Sequence, residues 1–233
     1  MKTPVRPTPH PIRDAAPADE SRRVFVRQLA LGATALGTLP LAACGGSDND
    51  PEVRFAHGVA SGDPLADRVM LWTRVTPPAG HTADIPVQWE LASDAAFTTV
   101  VAKGQATATA AKDFTVKVDA TGLKPATAYH YRFKAYAAQS AAARTRTLPT
   151  GSVAQVKLAV FSCANYPAGY FNVYAEAARR SDLDATVHLG DYLYEYPRGG
   201  YASATAEQLF FMETPATEIL TLTDYRTRHA QYK

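Results

Sequence analysis

Ala185-Thr186-Val187-His188-Leu189-Gly190-Asp191-Tyr192-Leu193-Tyr194 runs from a β-branched, apolar stretch straight into a Gly-Asp turn that carries a carboxylate and two phenols. Val and Thr are stiff at χ1 and suit a pleated surface, and a short near-continuous apolar run suits a strand covered on both faces. The segment therefore reads as a buried strand, Ala185 to Leu189, that presents Asp191 just past its carboxyl end. Upstream, Val156-Lys157-Leu158-Ala159-Val160-Phe161 reads the same way and ends at Ser162-Cys163. Between the two, residues 168–180 set Phe171, Tyr174 and Ala178 at spacings of three and four, the period of a helix face. Strand, helix and strand form a βαβ unit with parallel strands. In open α/β sheets, functional groups gather beyond the carboxyl ends of the strands, which is where Cys163 and Asp191 stand.

A thiolate at Cys163, a carboxylate at Asp191 and a phenolate at Tyr194 make a donor set for a metal. Thiolate and phenolate are anionic ligands that suit trivalent iron, and a carboxylate can bridge two cations about 3.5–4 Å apart. Asp191 and Tyr194 are three apart in sequence, a spacing that one tight turn brings to one side. A phosphate ester held by such a pair meets a nucleophile generated at neutral pH and a clamp on its developing charge. Each residue also has an ordinary structural role open to it. Cys163 packs well as a small apolar thiol. Asp191 after Gly suits a helix cap or a turn. Tyr192, Tyr194 and Tyr196 make an aromatic patch, and His188 within the strand suits packing or a supporting hydrogen bond.

Working outward, Pro149-Thr150-Gly151 separates this region from a stretch of different pattern. Val69–Val75, Val87–Leu91, Phe114–Val118 and Tyr129–Tyr136 are short β-like segments with period-2 alternation or β-branched runs, separated by turn residues such as Pro77-Pro78. They predict a small antiparallel sandwich over residues 53–148. Gly122-Leu123-Lys124-Pro125-Ala126-Thr127-Ala128-Tyr129 resembles the corner before a late strand in fibronectin-type sandwiches, where a Tyr hydroxyl bonds back to upstream backbone. His57 and Asp63, in Phe55-Ala56-His57-Gly58-Val59-Ala60-Ser61-Gly62-Asp63-Pro64, read as turn or packing residues, and this domain is assigned no catalytic group.

Residues 1–50 read as an address and a tether. Arg22-Arg23 precedes an apolar stretch from Leu29 to Ala43, interrupted by Gly32, Gly37 and Pro40, which closes on Leu41-Ala42-Ala43-Cys44. A spanning helix needs about 20 apolar residues, more than this stretch supplies. The order of basic, apolar and small residues is that of a signal peptide. Arg22 and Arg23 resemble a twin-arginine export signal, and the segment ending at Cys44 resembles a lipobox, in which the Cys is acylated after cleavage. These imply the twin-arginine export machinery as a partner, a lipid anchor to the membrane at Cys44, and a periplasmic or cell-surface location. With Cys44 so committed, Cys163 stands alone among the two cysteines of the chain.

The bulk composition agrees with a globular protein: 233 residues, 46% hydrophobic and 20% charged, with a formal net charge of +2. No Lys/Arg run beyond the N-terminus argues for nucleic acid as a partner.

Gly190-Asp191-x-x-Tyr194 matches the Gly-Asp-x-x-Tyr element shared by purple acid phosphatases and PhoD-like alkaline phosphatases. His57 to Pro64, Leu71-Trp72-Thr73-Arg74, Phe161-Ser162-Cys163 and His188 to Tyr196 occur in the order of the second group. The chain from about residue 53 to 233 thus resembles the PhoD-like alkaline phosphatase family, and Ser162-Cys163 departs from the Asp-containing first motif of the purple acid phosphatases. The resemblance implies a β-sandwich (fibronectin-III/Ig-like) domain at 53–148, followed at 153–233 by the first βαβ part of an α/β calcineurin-like metallophosphoesterase domain. It implies iron (Fe3+) held by Cys163, Asp191 and Tyr194, with Asp191 also bridging to calcium and so catalytic. It further implies phosphate mono- and diester substrates. Asn165, two residues beyond Cys163, is a further candidate with no family counterpart.

The family's later Asp-Asp-His-Glu element and His-containing motifs do not occur, and a helix expected from about Thr223 through His229 leads to Lys233. Two parallel strands do not close such a core. The chain is therefore expected to be a fragment with little phosphatase activity of its own. The rival expectation is a cell-envelope lipoprotein whose sandwich binds a partner without catalysis.

Overall fold

The structure is a computed structural model that describes residues 50–201 and 212–233; Arg22, Arg23 and Cys44 lie outside the described residues. Strict alternation builds the strands of the sandwich. In β2, Arg68–Arg74, the side chains of Val69, Leu71 and Thr73 are fully buried while their neighbours face outward. In β6, Ala128–Ala135, Tyr129, Tyr131, Phe133 and Ala135 all point inward. Such period-2 burial is what a sheet with one face on a core demands.

Two antiparallel sheets result. In one, β2 lies between β1, Val59–Gly62, and β5, Thr115–Thr121, with Leu71 opposite Val118. In the other, β3, Ile85–Ala92, lies between β4, Val100–Ala108, and β6. β7, Ala138–Gln139, and β8, Ala143–Arg146, both pair with β6. Val69, Leu71, Val75, Val116 and Val118 from the first sheet and Val87, Leu91, Tyr131 and Phe133 from the second share one core. Each such side chain contributes about 1.5–3 kcal/mol on burial, so the sandwich carries a complete core of its own.

The corner expected at Tyr129 is present: its hydroxyl accepts from the Lys124 N–H at 2.9 Å. Thr147 braces the same bend, donating to the Lys124 carbonyl at 2.6 Å and accepting from the Thr127 N–H at 3.0 Å. The alternation pattern left β4 unread. Its Ala, Lys, Gln and Thr side chains are small or solvated, and Gly104 interrupts it. Gly104 sits opposite Trp89, and a Cβ there would stand 2.8 Å from the indole Nε1, so the absent side chain makes room for the ring.

Beyond the sandwich, β9, Leu158–Phe161, and β10, Ala185–His188, pair in parallel with Val160 opposite Val187. The crossover carries α1, Asn172–Arg179, preceded by a single helical turn at Tyr166–Ala168. The βαβ unit is thus as expected, with a shorter helix. Its strands are not the buried ones expected: Leu158 and Val160 are 49% and 55% exposed. A parallel sheet is buried only when both faces are covered, and α1 is the only helix in this crossover among the described residues. The last element, α2, spans Leu222–Gln231, a little longer than expected. Thr221 caps it reciprocally: its Oγ1 accepts from the Asp224 N–H at 3.2 Å, and Asp224 Oδ2 accepts from the Thr221 N–H at 2.9 Å. No helix among the described residues is long and apolar enough to cross a membrane.

Candidate metal centre

Backbone pairing continues past the ends of β9 and β10 and sets the site. Leu189 N–H donates to Phe161 O at 2.8 Å, Cys163 N–H to Gly190 O at 3.1 Å, and Ala164 N–H to Asp191 O at 2.8 Å. The two loops therefore run side by side. Cys163 and Asp191 both adopt left-handed backbone, with φ of 59° and 51°. Side chains of this kind reach that region at a cost of order 1 kcal/mol or more, and the loop-to-loop hydrogen bonds hold them in it. Gly190, at φ 129°, takes a conformation that a side chain would strain.

The side chains converge on one atom. The Cys163 thiol donates to Asp191 Oδ2 at 3.4 Å, and the Tyr194 hydroxyl donates to the same oxygen at 3.2 Å. Cys163 is a free, exposed thiol. The Cys163 sulfur foremost, then burial and the Asp191 carboxylate, hold the Tyr194 phenol above the usual range for a tyrosine. Three acidic groups on one point repel as anions, and a cation among them would reverse that repulsion. Among the described residues no cluster of three His, Cys, Asp or Glu is placed to hold a metal. The third donor here is the Tyr194 phenol, a residue type outside that set. Thiolate, carboxylate and phenolate fit a trivalent iron, and three donors fill half of an octahedral shell.

The three tyrosines of the turn take separate roles. Tyr192 packs away from the centre, with ring centroids 5.2 Å from His188 and 5.8 Å from both His229 and Tyr232. Tyr196 stacks on Tyr194 at 6.2 Å and lies tilted against Tyr201 at 5.2 Å. Only Tyr194 of the three reaches Asp191. His188 supports the strand tip: its Nδ1 accepts from the Gly190 N–H at 3.4 Å while Nε2 meets the Tyr174 hydroxyl at 3.1 Å. Asn165 lines a cavity of about 210 Å³ together with Cys163, and its amide nitrogen is enclosed without a partner.

His57 meets Arg74 at 3.2 Å and Thr76 at 3.1 Å, and Arg74 forms a bidentate pair with Asp113 at 2.8 and 3.0 Å. Sequence reading passed over Arg228, whose Nη1 donates to the Tyr194 carbonyl at 2.6 Å. No motif signals such a role, because an Arg within a helix is ordinarily solvated.

Residues 41–149 match the family described as PhoD-like phosphatase, N-terminal domain, and residues 158–233 match PhoD-like phosphatase. Alkaline phosphatase D of Bacillus subtilis (strain 168) is 39% identical over 212 residues, covering 88% of this chain and 36% of that protein. The solved structure of PhoD aligns with a TM-score of 0.72 at 40% identity, over 81% of this chain and 36% of that one. The chain thus spans about a third of the length of the relatives it matches. With both halves matched in order, the chain belongs to the PhoD-like phosphatase family.

Proposed function

We propose that the protein contributes the first part of a metal-dependent phosphoesterase that hydrolyses phosphate mono- and diesters. In this reading Cys163, Asp191 and Tyr194 would hold a trivalent iron, and Asp191 would also serve as a donor to a calcium. The observation that carries it is the meeting of a thiol and a phenol on one oxygen of Asp191. Bound there, the cations supply Lewis-acid stabilisation of charge on the phosphoryl oxygens. The chain's own residues hold the donors in register: the paired loops fix Cys163 and Asp191, and His188 steadies the Gly190 turn. This half site belongs to an α/β domain of the calcineurin-like type. Arg22, Arg23 and Cys44 direct export by the twin-arginine route and lipid anchoring in the periplasm or at the cell surface.

The three donors found among the described residues are too few for a two-metal centre, so in this reading residues 45–233 alone hydrolyse little. The test is a chromogenic phosphodiester assay with metal analysis on the complete protein and on residues 45–233. The complete protein takes up iron and calcium and turns over, and Asp191→Ala removes both properties. Appreciable turnover by residues 45–233 alone, abolished by Asp191→Ala, would refute the incomplete-site reading. A second reading, an envelope lipoprotein whose sandwich binds a partner, draws on the complete core of that domain. It gains if the complete protein takes up no metal.

A further inference from the structure

Arg228 is 1% exposed, the largest fully buried side chain among the described residues. Burying a guanidinium is costly unless its donors are all met, commonly by a carboxylate. No ion pair to Arg228 occurs among the described residues. Its five N–H groups go instead to five backbone carbonyls. Nε donates to Thr214 O at 3.2 Å, Nη1 to Tyr194 O at 2.6 Å and Tyr196 O at 3.3 Å, and Nη2 to Pro215 O at 2.8 Å and Thr217 O at 3.5 Å. That matches the full donor count of a guanidinium.

These carbonyls lie on two segments that also touch each other, through Ile219 N–H to Glu195 O at 3.1 Å and Arg198 N–H to Ala216 O at 2.8 Å. The three residues that meet at Asp191 are held differently. Cys163 and Asp191 are fixed by the paired loops beyond β9 and β10. Tyr194 lies past that pairing, and the shortest hydrogen bond to its backbone carbonyl comes from Arg228 on α2.

We propose that Arg228 is the positioning residue for Tyr194, a clamp through which α2 sets the phenol against Asp191. The assignment rests on the metal reading above. Lys cannot replace Arg here: it offers three donors on one tetrahedral nitrogen and none at the Nε position, so at least two of the five carbonyls lose their partner.

The experiment titrates Fe3+ into the metal-free complete protein and follows the phenolate-to-iron charge-transfer band in the visible, with circular dichroism reporting the fold. The wild-type protein gains the band and Tyr194→Phe lacks it. Arg228→Lys stays folded, binds iron about 10–100-fold more weakly, as supporting residues at metal sites do, and shifts or loses the band. In a Tyr194→Phe background, Arg228→Lys then costs no further affinity, because the clamp acts through the phenol. A folded Arg228→Lys with wild-type band and affinity overturns the proposal, as does an equal loss in the Tyr194→Phe background. If neither Arg228→Lys nor Arg228→Gln folds, Arg228 is a folding residue and the proposal fails. A wild-type protein with no iron-dependent band sinks the metal reading itself, and the clamp with it.

Discussion

Tyr129→Phe isolates a single oxygen in the corner of the sandwich. The ring is 3% exposed and stays in place in the variant, so no burial of carbon is lost. What disappears is the 2.9 Å hydrogen bond from the Lys124 N–H. A neutral hydrogen bond contributes about 0.5–1.5 kcal/mol net, and a donor left dry costs about 1–3 kcal/mol. The hydrogen bond is only part-buried, so the lower part of that range applies. The expected loss is about 1–1.5 kcal/mol. At roughly 4–8 °C per kcal/mol for a domain near 100 residues, the melting temperature falls by about 5–10 °C. Urea unfolding should show a lower midpoint with an unchanged slope, since the surface exposed on unfolding is the same. Iron uptake should not change, because Tyr129 lies in the sandwich, apart from the thiol, carboxylate and phenol. A midpoint indistinguishable from wild type would mean that the hydroxyl does not hold the corner. A loss well above about 3 kcal/mol would mean that the ring itself had moved and that more than one oxygen holds the corner.

Further outcomes follow from other contacts. Gly104→Val should destabilise by about 1–3 kcal/mol in urea melts through overpacking against Trp89, and shortening Trp89 to Leu in the same chain should recover part of it; an unchanged midpoint would refute the close approach. Burial and then Arg74 lower the pKa of His57 from 6.5, and burial and then Lys233 lower that of His229 from 6.5. The unfolded chain therefore binds more protons below pH 6.5, so stability is full above that pH and declines as pH falls through the lowered folded values. His57→Gln combined with His229→Gln should flatten the stability profile between about pH 7 and 5, and an unaltered slope would count against both imidazoles. Replacing Arg22 and Arg23 together by Lys should leave the protein in the cytoplasmic fraction, and Cys44→Ser should move exported protein from the detergent phase to the aqueous phase. Wild-type distribution of the two variants would dispose of the export and anchor readings respectively.

Legibility differed between backbone and side chain. Val69 to Val75, Val87 to Leu91 and Tyr129 to Tyr136 announced themselves because one face of each must be apolar to reach the shared core. β4 did not, because Val100 to Ala108 is held by ladder hydrogen bonds to β3 while its side chains stay small or wet. β1 and β8 lie at sheet edges, where little burial is required and little pattern is imposed.

At the candidate centre, residue type was readable and selection among equals was not. Tyr192, Tyr194 and Tyr196 alternate in a pattern that fits three ligands or three packing residues equally well. What separates them is geometry: the left-handed turns at Cys163 and Asp191 bring the Tyr194 hydroxyl to Asp191, while Arg228 Nη1 reaches the Tyr194 carbonyl at 2.6 Å and the Tyr196 carbonyl at 3.3 Å. Carbonyls are common to every residue, so a side chain whose partners are all carbonyls leaves no trace in the identity of its neighbours. The same reasoning explains why α2 reads only as a helix in the sequence, although its Arg228 reaches the Tyr194 carbonyl. Its one buried side chain acts across 34 positions of sequence on the residue that the strand tips leave unfixed. If that is so, substitutions along the outer face of α2 should leave iron affinity untouched, and the Arg228 position should be the one on that helix where it changes.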